Sequence, residues 1–323
     1  MSSPELPRVI YIAGAGRSGS TVLDTLLGAL PGAASLGELA KLLRHAYLED
    51  HYCACGERGR SCPFWSEVRR RAFPAAGPVE LEEIERQALF FERLRSLPRL
   101  LAERREPGPE FARYAERTTA LLRAIAATAG CRLVVDSSKH PLRALALSLV
   151  PGLDLTLVHL VRDPRAVAWS YLKAFARDEA AGVEQDIAPQ AAWRTALGWS
   201  LTNLAAEWVA RQLPRGQSVT VRYEELVSSP AATLERIGRA ARADVGVVVD
   251  RVRRGEAFAV GHTIAGNRLR RSGAVALKPD WSWQGRLSRG ARAAVLAFSG
   301  PLLPRYSYEF RSPRPSPPLR GEE

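Results

Sequence analysis

The chain has 323 residues, 46% of them hydrophobic, which is enough to bury one large α/β core. Its formal charge is +12, and because there are only four lysines (Lys41, Lys139, Lys173, Lys278) arginine supplies 42 of the 46 basic residues. The arginines are scattered, in short clusters such as Arg69-Arg70-Arg71, which suits a small anionic ligand and excludes a dedicated nucleic-acid footprint. Residues Met1 to Arg8 show no charged-then-apolar signal pattern, the apolar runs are too short to span a bilayer, and four cysteines do not form a secreted framework, so a soluble, cytoplasmic protein is expected.

The first strand is expected at Val9 to Ala13, followed by a turn from Gly14 to Ser20 and a helix from Thr21 to Leu30 that Pro31-Gly32 stops. A short second strand, Ala33 to Leu36, ends in Gly37-Glu38 and leads into a helical run, Leu39 to Leu48. Cys53, Cys55 and Cys62 follow as C-x-C-x6-C, with His51 two residues upstream. That spacing suits three thiolates and an imidazole on zinc, a redox-dependent disulfide, or plain packing.

Residues 79–129 read as helical, with Leu81, Ile84, Ala88 and Phe91 at helical spacing and Pro98 as a kink. About residues 50–130 therefore form a helical insertion, a natural wall for an acceptor pocket, in one domain spanning 1–310. Cys131 to Val135 is a continuous buried strand that delivers Asp136-Ser137-Ser138-Lys139-His140, and a helix follows from Leu142 to Leu149. Leu153 to Val161 is another such strand, ending in Arg162-Asp163-Pro164-Arg165. Charged clusters at the carboxyl ends of parallel strands are where α/β proteins place ligand chemistry. A long helix at Gln190 to Leu213, a fifth strand at Ser218 to Arg222, helical residues 231–254 and a helix at Ser288 to Ser299 complete the chain, and the tail 311–323 reads as disordered.

The first turn reads G-A-G-R-S-G-S-T from Gly14. Glycines let the backbone approach an oxyanion, the helix N-terminus offers unpaired N–H groups, and Ser18, Ser20 and Thr21 add hydroxyls. The nucleoside triphosphatase loop is G-x-x-x-x-G-K-S/T. Here Ser20 stands at the lysine position, so the residue that reaches the β- and γ-phosphates is missing. An ATP-dependent small-molecule kinase and a non-catalytic nucleotide- or polyanion-binding protein stay open as alternatives on the residues alone.

Gly16-Arg17-Ser18-Gly19-Ser20-Thr21 resembles the 5′-phosphosulfate loop of sulfotransferases that use 3′-phosphoadenosine-5′-phosphosulfate (PAPS). Leu160 to Tyr171 resembles their second signature, with Arg162 and, eight positions on, Ser170 at the 3′-phosphate. Val221 to Leu226 is similar to the family's R-Y-E-D-L segment, whose tyrosine (Tyr223 here) lies by the adenine; Gly266-Asn267-Arg268 is similar to the late Gly-rich loop that closes over the 3′-phosphate. The resemblance covers about Val9 to Trp283, apart from 50–130, and looks most like the carbohydrate, protein-tyrosine and bacterial branches, because Arg17 replaces the lysine usual in the cytosolic branch.

It implies a P-loop-NTPase-like parallel sheet flanked by helices, PAPS as co-substrate, adenosine 3′,5′-bisphosphate as product and a hydroxyl-bearing acceptor (small molecule, sugar or glycolipid). Arg17 is expected to clamp leaving-group charge. Two general bases are implied: Glu38, placed like the glutamate of protein-tyrosine and heparan-type sulfotransferases, and His140, 22 residues before Arg162, placed like the cytosolic branch's histidine. Lys139 would stabilise the transferring sulfonate.

Overall fold

The computed structural model describes residues 6–174, 176–178, 188–266 and 268–310, with only the backbone of Arg268. The expected tail and Asn267 lie outside the described residues. Five parallel strands form the central sheet: β1 (Arg8–Ala13), β2 (Ala33–Ser35), β3 (Leu133–Lys139), β4 (Leu155–Val161) and β5 (Ser218–Arg222), in the order β2-β3-β1-β4-β5. The chain leaves β1 through α1 (Ser20–Gly28) toward one edge and leaves β4 toward the other. The crevice between β1 and β4 is therefore the switch point at which open α/β sheets bind ligands.

Alternation along β1 explains the two cores. Val9, Tyr11 and Ala13 face the helices inserted after β2, namely α2 (Pro63–Ala72), α3 (Pro78–Glu92), α4 (Leu97–Glu103) and α5 (Pro109–Ala129), together with α6 (Pro141–Ser148). Ile10 and Ile12 face α1 and the later helices α10 (Pro230–Ala241) and α11 (Gly246–Arg253). All residues of β4 are buried, as a strand covered on both faces requires. The remaining helices are α7 (Pro164–Tyr171), α8 (Ala192–Gln212), α9 (Tyr223–Ser228) and α12 (Arg289–Ser299), and β6 (Phe258–Ala259) pairs antiparallel with β7 (Ala274–Val275). Among the described residues no helix is long and apolar enough to cross a membrane.

Proline sets many helix starts. The helices α2, α3, α4, α5, α6, α7 and α10 carry it at the first or second position, where its fixed φ fits and its missing N–H costs nothing. This corrects the expected kink at Pro98: the helix breaks earlier, at Arg93, and Pro98 opens α4. The expected helix Leu39 to Leu48 is a 3₁₀ turn at Leu39–Lys41 followed by a π-helical stretch at Leu43–Leu48. β3 runs on through Asp136 to Lys139, four residues beyond the expected end, with a register irregularity against β1 between Tyr11 and Ala13.

Candidate functional site

Ala13 pairs with Lys139 on one side and with His159 on the other, so β1, β3 and β4 end level with one another. The turn after β1 is built on left-handed backbone. Gly14 has φ 144°, and a methyl there would stand 2.2 Å from the Leu160 carbonyl oxygen; Gly19 has φ 92°, and a methyl there would stand 2.5 Å from the Tyr223 ring. Ser20 and Thr21 open α1, so its N-terminal N–H groups face this turn. Ser18 is buried, and its hydroxyl has no hydrogen-bond partner among the described residues. The Arg17 guanidinium lies 5.6 Å from the centre of the Tyr171 ring, whose hydroxyl crowds the Cα of Gly16.

Arg162 joins this turn to the end of β4. Its Nη1 donates to the Arg17 carbonyl at 3.1 Å, and its guanidinium lies 4.3 Å from the centre of the Tyr223 ring. Nη2 donates to Asp280, at 3.2 Å to the carbonyl and 3.0 Å to the carboxylate. Its buried Nε has no partner among the described residues. Trp199 Nε1 donates to the Arg162 carbonyl at 2.9 Å and fixes the backbone. Asp163 caps α7, accepting from Arg165 N at 2.8 Å, and Ser170 sits half-buried two turns along that helix. Tyr223 donates to the Lys278 carbonyl at 3.2 Å, so its ring is wedged between Gly19 and Arg162.

The acid–base residues gather at the end of β3. Glu38 is buried, pairs through Oε1 with Lys139, and meets Lys41 at 2.8 Å through Oε2. Burial would raise its carboxyl, but Lys139 and then Lys41 outweigh it and hold the group down to about 2. Burial lowers the Lys139 ammonium, and Glu38 opposes that. The His140 imidazole is held below its ordinary value, by the protein packed around it first and then by the Lys139 charge. Gly266 approaches the same place: a methyl built on it would stand 3.7 Å from both the Glu38 carboxylate and the Thr21 hydroxyl. Arg268 begins a 3₁₀ turn just beyond.

Beside this cluster opens a cavity of about 490 Å³, lined by Lys41, His45 and His140 on the polar side and by Leu89, Leu94, Leu142 and Leu201 on the apolar side. Its walls come from α3, of the inserted helices, and from α6 and α8.

The structure brings the expected site residues Gly16 to Thr21, Glu38, Lys139, His140, Arg162, Tyr223 and Gly266 together at the carboxyl ends of the strands. Sequence reasoning missed Lys41, which the i,i+3 spacing from Glu38 signals, and Asp280, which nothing local signals. His51 requires a correction. Its Nε2 meets Glu49 at 3.2 Å and its ring packs on His45, whereas the imidazole grouped with the three cysteines is that of His262.

A model of the sulfotransferase family matches residues 7–245. Among solved structures, the sulfotransferase domain from the curacin biosynthetic pathway matches with a TM-score of 0.51 and 17% identity over 95% of this chain and 100% of that one. The sulfotransferase domain of the Synechococcus PCC 7002 olefin synthase gives 0.49 and 18% over 96% and 98%. Sulfotransferase STF9 from Mycobacterium avium gives 0.46 and 16% over 95% of this chain and 78% of that one. No curated protein sequence matches the chain. The switch-point crevice, the glycine turn at its mouth and a family match over most of the chain agree: this chain belongs to the sulfotransferase family and is a sulfotransferase enzyme.

Proposed function

We propose that this enzyme transfers the sulfuryl group of PAPS to a hydroxyl of an amphipathic small molecule or glycolipid and releases adenosine 3′,5′-bisphosphate. The observation that carries the reading is the bond from Arg162 Nη1 to the Arg17 carbonyl, 3.1 Å long, which ties two anion-binding segments into one unit. Backbone N–H groups at the start of α1 and the Ser18 hydroxyl suit a 5′-phosphosulfate. The Arg162 guanidinium and the Ser170 hydroxyl suit a 3′-phosphate. Tyr223 supplies an aromatic face beside Arg162 for the base.

The donor supplies a sulfuryl group on a phosphate leaving group. Arg17 and the α1 terminus meet the charge that grows on that phosphate. Lys139, held in place by Glu38, neutralises the sulfonate oxygens. His140 lines the cavity and carries a neutral imidazole, so it accepts the proton of the acceptor hydroxyl. Glu38 is the weaker base of the two because a carboxylate held at about 2 has little affinity for that proton. The leucine-lined half of the cavity suits the apolar body of the acceptor.

Calorimetry tests the nucleotide assignment. Adenosine 3′,5′-bisphosphate should bind well above ATP and adenosine 5′-phosphate, and Arg162→Ala should weaken the bisphosphate about 10- to 100-fold while changing the monophosphate little. ATP binding as tightly as the bisphosphate, or an equal loss for both nucleotides in Arg162→Ala, would overturn the assignment.

A further inference from the structure

Three cysteines on one short loop meet a histidine that follows some two hundred residues later. Cys53 and Cys62 are buried, Cys55 is exposed, and all three are free thiols. The three sulfurs and one imidazole nitrogen all lie within 4.8 Å of one another. Cys62 Sγ is 3.3 Å and Cys53 Sγ 3.8 Å from His262 Nδ1, and Cys55 Sγ is 3.6 Å from Cys62 Sγ.

Those edges have a recognisable size. A tetrahedral zinc ion with Zn–S of about 2.3 Å and Zn–N of about 2.0–2.1 Å places sulfurs ~3.8 Å apart and sulfur ~3.6 Å from nitrogen. A disulfide needs sulfurs about 2.05 Å apart. The donor set, three soft thiols and an imidazole, selects zinc over magnesium, calcium or manganese.

The surroundings hold these donors in place. Cys53 N donates to the Glu57 carbonyl at 2.8 Å and Gly56 N returns to the Cys53 carbonyl at 3.0 Å, which folds the first two cysteines into a tight turn. Cys62 stands at the N-cap position of α2, where the helix N-terminus favours a thiolate. The His262 ring stacks on Phe64, with centroids 4.9 Å apart and planes 5° apart, so its Nδ1 is aimed at the sulfurs.

We propose that Cys53, Cys55, Cys62 and His262 form a structural zinc(II) site. With four protein donors it has no open position, so it serves architecture and not catalysis. The loop it fastens matters. His262 stands four residues before Gly266, which abuts Glu38 and Thr21. Ala54 N donates to the Thr263 carbonyl at 2.9 Å and Arg271 Nη1 to the Cys53 carbonyl at 2.5 Å, so the metal would add a further tie between the cysteine loop and the segment around His262. That pinning role rests on the PAPS reading above; the metal site itself does not.

The test begins with metal content. The full chain, made without a metal-binding tag in zinc-supplemented medium and kept reduced, should contain about one zinc per chain by elemental mass spectrometry. Exchange with cobalt(II) should give the intense visible ligand-field bands of a tetrahedral site and sulfur-to-cobalt charge transfer. Cys55→Ser and His262→Ala should each lower zinc retained against a chelator at least tenfold, and the wild-type readings stand even where a variant fails to fold. Wild-type protein with little or no zinc, a weak octahedral cobalt spectrum, or a Cys55–Cys62 disulfide in peptide maps of the unreduced chain would overturn the site. Metal removal should raise the KM for PAPS several-fold with the sheet's circular dichroism retained. An unchanged KM in active, stripped enzyme overturns the pinning role and leaves the metal readings to decide the site.

Discussion

Lys139 adopts φ 72°, in the left-handed region that costs a lysine about 1–2 kcal/mol. Two contacts offset that cost: its carbonyl accepts from Gly14 N at 3.1 Å, and its ammonium pairs with Glu38. The twist separates the directions of Lys139 and His140, so one points to Glu38 while the other lines the cavity. A pH profile distinguishes the two base candidates. A group with a lowered pKa stays deprotonated as the pH falls through its ordinary value and is protonated only further down. With His140 as base, kcat/KM holds through pH 6.5, the ordinary imidazole value, and falls below it. With Glu38 as base, held at about 2, no acid limb appears at any pH where the protein is folded. His140→Gln should remove the limb and lower kcat about 10²- to 10⁴-fold, while Glu38→Gln should act through Lys139 and affect the KM for the donor more than the limb. A limb that survives His140→Gln would assign the proton to another group.

At the scale of elements, the site depends on a buried ion network between three of them. Arg143 on α6 donates to Asp136 on β3 at 3.0 Å and pairs with Glu92 on α3, which also accepts from Tyr114 of α5 at 3.0 Å. Tyr11 of β1 donates to the His140 carbonyl at 2.8 Å just above it. Removing Arg143 leaves two buried carboxylates facing each other. Arg143→Met should therefore destabilise the fold by about 3–5 kcal/mol, read by denaturant unfolding, and more than Glu92→Gln, which leaves Asp136 paired. The elements themselves were largely legible. β1, α1, β4 and β5 follow from apolar runs and from proline and glycine at their ends. Residues 39–48 were not, because one apolar face reads alike for α-, 3₁₀- and π-turns. The break at Arg93 was also hidden, since the apolar pattern continues through it and tertiary packing sets where the chain turns.

At the scale of the molecule, strand order and long-range meetings were beyond local pattern. Parallel strands carry no hairpin signal, so the sequence alone places Asp136, Arg162 and Gly14 at strand ends but not beside one another. The family resemblance supplied that missing link for the nucleotide turn and for Arg162. It could not supply His262, two hundred positions from Cys62, because the insertion lies outside the resemblance. The positive net charge would attract the polyanionic nucleotide donor proposed above, and it would equally slow the departure of a polyanionic product.

Asp280 bears on that departure. Its carboxylate, about half exposed, sits on Arg162 Nη2, where the proposed 3′-phosphate would bind. An incoming nucleotide must push this carboxylate aside into water, and the spent nucleotide must compete with its return. If Arg162 holds the 3′-phosphate as proposed, Asp280 would compete with the product for that guanidinium and weaken its grip. Asp280→Asn should tighten adenosine 3′,5′-bisphosphate several-fold by calorimetry, about the worth of one displaced exposed ion pair, and should make product inhibition stronger at unchanged chemistry. On that reading the aspartate would govern how long the enzyme stays occupied between cycles, a property of its tempo and not of its reaction.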